Sequence, residues 1–318
     1  MGKLENTKTY TGRDLETIFF RPMLTGQNAE ELGIRVMYNM PVPTTIQLWS
    51  PQTDVLQQYS SGWSGGDSAQ RLQKTIELTK IKAEVGFSAA DYFNQVYELI
   101  TNRSDVNLDD LTGSELEQAE TEMFRAAIAE NLRLMMWVGD VESSDYPLFD
   151  GLLKKIYSYG TGQTATLPED GVTKENVLRL LNDMWETATP RLKSLKHEGQ
   201  LAFFVTSDIC DAYEQYLDSL GSDGAYTDLV SGRRELSFHG IKIVDINISH
   251  VMPLECIGGK SICVLTDRRN LILAVNTADY PGSEVRMWYN PDEMENRQRA
   301  TFMVGCEVLD EGLLVRAE

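Results

Sequence analysis

The sequence predicts an α+β protein, and three observations point there. Strand-like alternation crowds the last third of the chain, long helical stripes lie in its middle, and an extended polar hairpin precedes them. The chain has 318 residues, 42% of them hydrophobic, enough for one large core or two smaller ones.

Residues 7–44 mix Gly, Pro and polar side chains with isolated anchors such as Ile18, Phe19, Phe20, Met23 and Leu24, and keep no helical or strand period. Such a segment is expected to be an arm lying on something else. Ile46 and Leu48 then alternate as in a strand, followed by a polar stretch, 50–73, whose tip reads Ser60-Ser61-Gly62-Trp63-Ser64-Gly65-Gly66-Asp67. On the return, Ile76 and Leu78 alternate with Thr75, Glu77 and Thr79, whereas Ile81, Ala83 and Val85 alternate in the opposite phase with Lys80, Lys82 and Glu84. A one-residue change of phase predicts a bulge or sharp twist near Thr79.

A two-stranded hairpin with Gln, Ser, Thr, Lys and Glu faces is marginal alone in water, so this one needs a neighbour. Its aromatic and charged residues Trp49, Trp63, Arg71, Lys74, Glu77, Lys80 and Lys82 are the expected inter-subunit contacts. The competing reading of the Lys/Glu alternation is a solvated, protected edge.

After Gly86 the pattern turns helical. Ser88 with Asp91 resembles a cap, and Tyr92, Phe93, Val96, Tyr97 and Ile100 form a stripe. Beyond a polar linker, Thr112 with Glu115, or Ser114 with Glu117, offers a capping box. It opens a run through Leu116, Ala119, Met123, Phe124, Ala127, Ile128, Leu132 and Met135 to a stop at Gly139. At ~1.5 Å per residue this helix is about 40 Å long and suits a spine.

A boundary is expected at 140–145 and an exposed loop at 160–171. Thr173 is the expected cap of a helix with Val177, Leu178, Leu181, Met184, Trp185 and Ala188 on one face, ended by Pro190. The apolar run Leu201-Ala202-Phe203-Phe204-Val205 predicts a buried strand, and Ser207 a cap for a helix with Ile209, Tyr213, Tyr216, Leu217 and Leu220. Strands follow at 236–238, 241–248, 261–266, 271–275, 285–289, 300–308 and 313–316, with antiparallel pairing.

Composition excludes several classes. Acidic residues number 48 against 29 basic, a net charge of −19, which opposes gripping nucleic acid or anionic lipid by counterion release. No stretch has the length of an apolar membrane span, and the polar opening Met1-Gly2-Lys3-Leu4-Glu5-Asn6 does not read as a signal peptide. Cys210, Cys256, Cys263 and Cys306 show no disulfide framework and read as reduced thiols.

No motif carries catalysis. Gly62-Trp63-Ser64-Gly65-Gly66 fits G-x-S-x-G, but polar residues flank it where a nucleophile elbow needs a buried strand and a helix. Gly160-Thr161-Gly162-Gln163-Thr164-Ala165 fits G-x-G-x-x-A but follows a helical stretch and precedes Pro168. His239, His250, Cys256 and Cys263 fit no closed zinc spacing. No catalytic residue, metal site or cofactor is predicted.

The order of parts resembles one family, the Hong Kong 97-type major capsid protein of tailed, double-stranded DNA bacteriophages. Phe149-Asp150-Gly151-Leu152 resembles its turn into the axial domain, and residues 173–186 its first axial helix. Phe203-Phe204-Val205-Thr206-Ser207 resembles the next axial strand and helix start. Leu236-Ser237-Phe238-His239-Gly240-Ile241-Lys242-Ile243-Val244 is similar to a further family strand, and Asn270-Leu271-Ile272-Leu273 to the path back.

The resemblance implies an N-arm at 1–44, a β-hairpin called the E-loop at 45–86, a peripheral domain with the spine helix at 87–148 and 276–318, and an axial domain at 149–275. It implies hexamers and pentamers closing an icosahedral head around DNA without sequence-specific binding, in a virion assembled in bacterial cytoplasm and away from membranes. Its implied partners are a portal protein, optional decoration proteins and, since no long helical leader precedes the arm, a separate scaffolding protein unless this chain is the mature form. No self-ligating Lys and Asn pair matches, so covalent cross-linking is not expected. Two alternatives stand beside it: an encapsulin-like nanocompartment shell, and a cytosolic serine hydrolase using Ser64.

Overall fold

The computed structural model describes residues 8–10, 32–38, 44–49, 61, 71–88, 115–144, 146–158, 163–220, 236–248, 261–276, 284–290, 292–293 and 295–318. The apolar anchors at 18–24, the stripe from Tyr92 to Ile100, the capping boxes at Thr112 and Ser114, and the hairpin tip with Trp63 and Ser64 lie outside the described residues.

Phe124, Ile128, Leu132 and Met136 recur every fourth residue, which places them on one face of a helix and buries them together. This is α1 (Glu115–Val138), about 36 Å long at ~1.5 Å per residue. Its end is set by glycines. A Cβ on Gly139 would collide with the Phe149 and Met135 carbonyl oxygens, and one on Gly151 would sit 2.7 Å from the Gly139 nitrogen. The Gly151 N–H donates to the Gly139 carbonyl at 2.7 Å, so the chain leaves α1 and enters α2 (Leu152–Ser158) through a backbone crossing that excludes side chains.

The strands before α1 are β1 (Lys8–Tyr10), β2 (Arg35–Tyr38), β3 (Thr44–Trp49), β4 (Arg71–Ile76) and β5 (Thr79–Ser88). After α2 come β6 (Gln163–Ala165), α3 (Val177–Thr187), α4 (Pro190–Ser194), β7 (Leu201–Val205) and α5 (Ser207–Ser219). The remainder is β8 (Ser237–Phe238), β9 (Ile241–Asp245), β10 (Cys263–Asp267), β11 (Leu271–Asn276), β12 (Glu284–Asn290), β13 (Glu295–Val308) and β14 (Leu314–Ala317).

One six-stranded sheet is organised on β13. Met303 and Val304 pair with Lys80 and Thr79 of β5 on one edge and with Asn276 and Val275 of β11 on the other. Residues 295–301 pair with β5 and with β12. Thus β11 and β12 lie end to end along one edge of β13, with β2 parallel on β11 and β1 antiparallel on β12. Gln298, Ala300, Phe302 and Val304 alternate with half-buried neighbours and point into the core under α1.

A second sheet runs β6-β14-β10-β7-β9-β8. Its β7 is buried on both faces, as the apolar run predicts: Ala202 and Phe204 join the α1 core, while Leu201, Phe203 and Val205 join a core with α3 and α5. Trp137 of α1 packs on Phe204 with ring centroids 5.6 Å apart. The sheet pairs β7 with β9, and β14 with β6, in parallel, which departs from the expected all-antiparallel pairing.

Two expected caps are corrected. Asn176 occupies the N-cap of α3, because the Thr173 carbonyl already accepts the Asn176 and Val177 N–H groups in a preceding turn. Thr206 occupies the N-cap of α5, and the Ser207 hydroxyl instead donates to the Asp245 carboxylate at 2.8 Å. Pro190 does follow the end of α3, and it opens α4 at a first-turn position where its missing N–H costs nothing.

Candidate assembly interface

β3 and β4 form a two-stranded sheet of their own, from Thr44 opposite Ile76 to Trp49 opposite Arg71. Its base is built into the body. Ile76 is 1% exposed and lies in a small core with Ile272, Ala274 and Leu309, against which Met37, Ile46 and Leu78 pack. One residue along, Thr45 and Thr75 are exposed, and their hydroxyls meet across the strands at 3.4 Å.

The predicted phase change falls where the strand changes partners. Lys74, Ile76 and Leu78 point inward, Thr79 and Lys80 are both exposed, and Ile81, Ala83 and Val85 then face the core. Up to Ile76 the chain pairs with β3; from Thr79 it pairs with β13. The bridge at Glu77 and Leu78 crosses over Gly305 of β13. A Cβ there would collide with the Glu77 carbonyl oxygen and lie 3.2 Å from Leu78 Cδ2, so this crossing requires glycine.

An ion-pair network fixes the same base. The buried Glu307 carboxylate accepts from Lys155 of α2 at 2.7 Å and faces Lys74 of β4 at 3.6 Å, and Lys74 also reaches Glu311 at 3.5 Å. It ties hairpin, β13 and α2 together. Beside it, the α1–α2 loop is closed by Lys154, whose ammonium bonds Asp140 at 2.5 Å and Asp150 at 2.9 Å. The Asp140 hydrogen bond, helped by Asp150, holds this lysine above the usual ammonium range.

Of the seven predicted contact residues, Lys74 enters the network just described and Lys82 pairs with Glu84 at 2.8 Å. Glu77 and Lys80 are exposed at the partner switch, and Trp49 and Arg71 stand opposite each other in register. Trp63 lies outside the described residues. The six are strung along the hairpin and its continuation, not gathered at one point. Sequence reasoning missed Glu307, Glu311, Lys155 and Gly305; the available signal was a lone carboxylate and a lone glycine inside the apolar strand Phe302-Met303-Val304-Gly305-Cys306-Glu307-Val308.

The demoted motifs find ordinary places. Gln163–Ala165 forms β6 after a helix, the reverse of a dinucleotide site's order. His239 stacks on Phe238 in the β8–β9 turn and Cys263 is buried in β10, while His250 and Cys256 lie outside the described residues. Burial raises the thiols of Cys210, Cys263 and Cys306, that of Cys263 to about 12. Among the described residues, no helix is long and apolar enough to cross a membrane, and no three side chains are grouped to hold a metal.

This architecture is an α+β fold of the Hong Kong 97 capsid type. The chain superposes on a subunit of the satellite phage P4 procapsid, a structure that includes the size determination (Sid) protein, with TM-score 0.56 and 12% identity over 97% of this chain and 92% of that one. It superposes likewise on the capsid of a native GTA particle, with TM-score 0.55 and 12% identity over 92% and 90%. A third match is the holo-SrpI encapsulin complex of Synechococcus elongatus, with TM-score 0.51 and 13% identity over 93% and 88%. By sequence, neither a family model nor a curated protein matches.

Proposed function

We propose that this chain is the major subunit of an icosahedral phage head, assembling as hexamers and pentamers around double-stranded DNA. The carrying observation is the hairpin: its root is locked by Ile76, Gly305 and Glu307, while the stem beyond exposes Thr45, Gln73 and Thr75 and, among the described residues, pairs only as a two-stranded sheet. A lever fixed at one end, with exposed polar side chains on its described stem, suits a surface that completes itself on a neighbouring subunit. The shared fold supports the same reading.

In this reading residues 1–44 are the N-arm and 45–86 the E-loop. The sheet built on β13, to which the N-arm adds β1 and β2 and the E-loop adds β5, forms the peripheral domain with α1, and the sheet containing β7, with α3 and α5, is the axial domain that meets its copies around five- and six-fold rings. Since β14 pairs with β10 and β11 with β13, the chain crosses between the two near residues 270 and 310. Trp49, Trp63, Arg71, Glu77, Lys80 and Lys82 contact neighbours; Lys74, engaged within its own chain, does so through its exposed quarter. The net charge of −19 suits a container that holds DNA without adhering to it. The partners are a separate scaffolding protein and a portal, and no chemical step is assigned.

The encapsulin match favours one second reading, a shell around cargo proteins. Purified particles decide between them: nuclease-resistant double-stranded DNA inside supports the phage head, and empty or protein-filled particles from infected cells contradict it.

A further inference from the structure

β5 presents ten residues of backbone, Thr79 to Ser88, and its pairing with β13 uses one edge. Among the described residues no other strand pairs with it. A strand edge of that length is a template for another chain unless its side chains forbid pairing. Here they specify it. Ile81, Ala83 and Val85 pack against the main core yet stay half-buried, so apolar surface remains at the margin. On the other face Lys80, Lys82, Glu84 and Gly86 are exposed.

We propose that the free edge of β5 pairs antiparallel with the same edge of a second copy, about a two-fold axis through Ala83. The inference rests on the shell reading, in which this contact joins one ring of subunits to the next. An antiparallel pair centred there sets Ala83 opposite the partner's Ala83, Ile81 opposite the partner's Val85, Lys82 opposite the partner's Glu84 and Lys80 opposite the partner's Gly86. Apolar residues then meet on the core face and unlike charges on the outer face.

The register is selected by charge. Moving the centre one residue back sets Lys82 against Lys82 while Lys80 meets Glu84, and one residue forward sets Glu84 against Glu84 while Lys82 meets Gly86, so of the three only the Ala83 centre sets no like charges opposite. A centre between residues would throw core-facing side chains against outward ones. Within one strand Lys82 and Glu84 already lie 2.8 Å apart with 59% and 49% of their side chains exposed, so both are placed to exchange partners across the axis. The arrangement is isologous, as a closed two-fold contact requires, whereas the rings need a head-to-tail contact elsewhere.

The test uses the full chain. Ala83→Cys places two thiols across the axis, where directly opposed Cβ atoms lie ~4.5–5.5 Å apart, near enough for a disulfide on small adjustment. After oxidation, a non-reducing gel should show a dimer band for Ala83→Cys and none for wild type or for Glu77→Cys. Lys82→Glu and Glu84→Lys should each lower particle yield at least about tenfold by setting like charges opposite, and the double exchange should restore it. Particles at wild-type yield from both single variants, with Ala83→Cys running as a monomer, overturn the β5 contact and leave the shell reading standing. If wild type forms no particles the shell reading fails, and the Ala83→Cys gel on soluble protein still decides the edge: a dimer band upholds the pairing and a monomer band overturns it.

Discussion

Gly305→Ala tests how the hairpin is rooted. The added methyl collides with the Glu77 carbonyl oxygen and comes within 3.2 Å of Leu78, so residues 77 and 78 must lift from β13 or β13 must shift beneath them. Lifting them uncovers part of Ile76 and Leu78 and draws Lys74 away from Glu307. Overpacking of this kind costs about 1–3 kcal/mol, which changes the folded-to-unfolded ratio roughly 5- to 150-fold. Urea unfolding should show a lower midpoint with an unchanged slope, and native-state hydrogen exchange should speed up over residues 74–80. Gly86→Ala is the control, since its nearest neighbour is the Glu295 carboxylate at 3.4 Å, and it should unfold like wild type. Equal midpoints for Gly305→Ala and wild type, with unchanged exchange at the root, would refute the crossing.

Three further outcomes follow from the same geometry. Glu307→Gln leaves Lys155 beside a neutral group in a largely buried site and should destabilise the chain by about 3 kcal/mol in urea unfolding; a change near zero would remove the network from the account. Lys154 is held above its ordinary pKa, so its contribution is complete below ~10.4 and fades as pH rises through the folded value. The difference in Tm between wild type and Lys154→Met should therefore be constant from neutral pH to about 10 and shrink above it, and a difference that persists at higher pH contradicts the closure by Asp140 and Asp150. Cys210, Cys263 and Cys306 are buried and their thiols raised, so a thiol reagent near pH 8 should label at most one of the four cysteines until denaturant is added. Labelling of two or more in the native protein speaks against these cores.

Much of the fold was legible because local pattern and burial agree. Phe124, Ile128 and Leu132 of the expected stripe set the buried face of α1, although Met123 and Ala127 of that stripe are exposed and Met136 completes the face in place of the half-buried Met135; the unbroken apolar run at 201–205 sets a strand covered on both faces, and the phase slip between Leu78 and Ile81 marks the partner switch. Caps were less legible: Thr173 and Ser207 are suitable residue types, yet their hydrogen-bonding groups serve a preceding turn and the Asp245 carboxylate. The parallel pairs were hidden because register is settled by segments distant in sequence, as where β7 meets β9. The root was hidden for the same reason. Glu307 is 233 positions from Lys74 and 152 from Lys155 (307 − 74 and 307 − 155), and nothing near Gly305 announces that another strand crosses it.

The most direct measurement is electron microscopy of the purified full chain, expressed alone and together with any scaffolding protein encoded beside it, alongside size-exclusion chromatography. Closed icosahedral particles with five- and six-fold clusters, each hairpin resting on a neighbouring subunit, are the predicted result. A chain that stays monomeric under every condition, scaffolding protein included, contradicts the account.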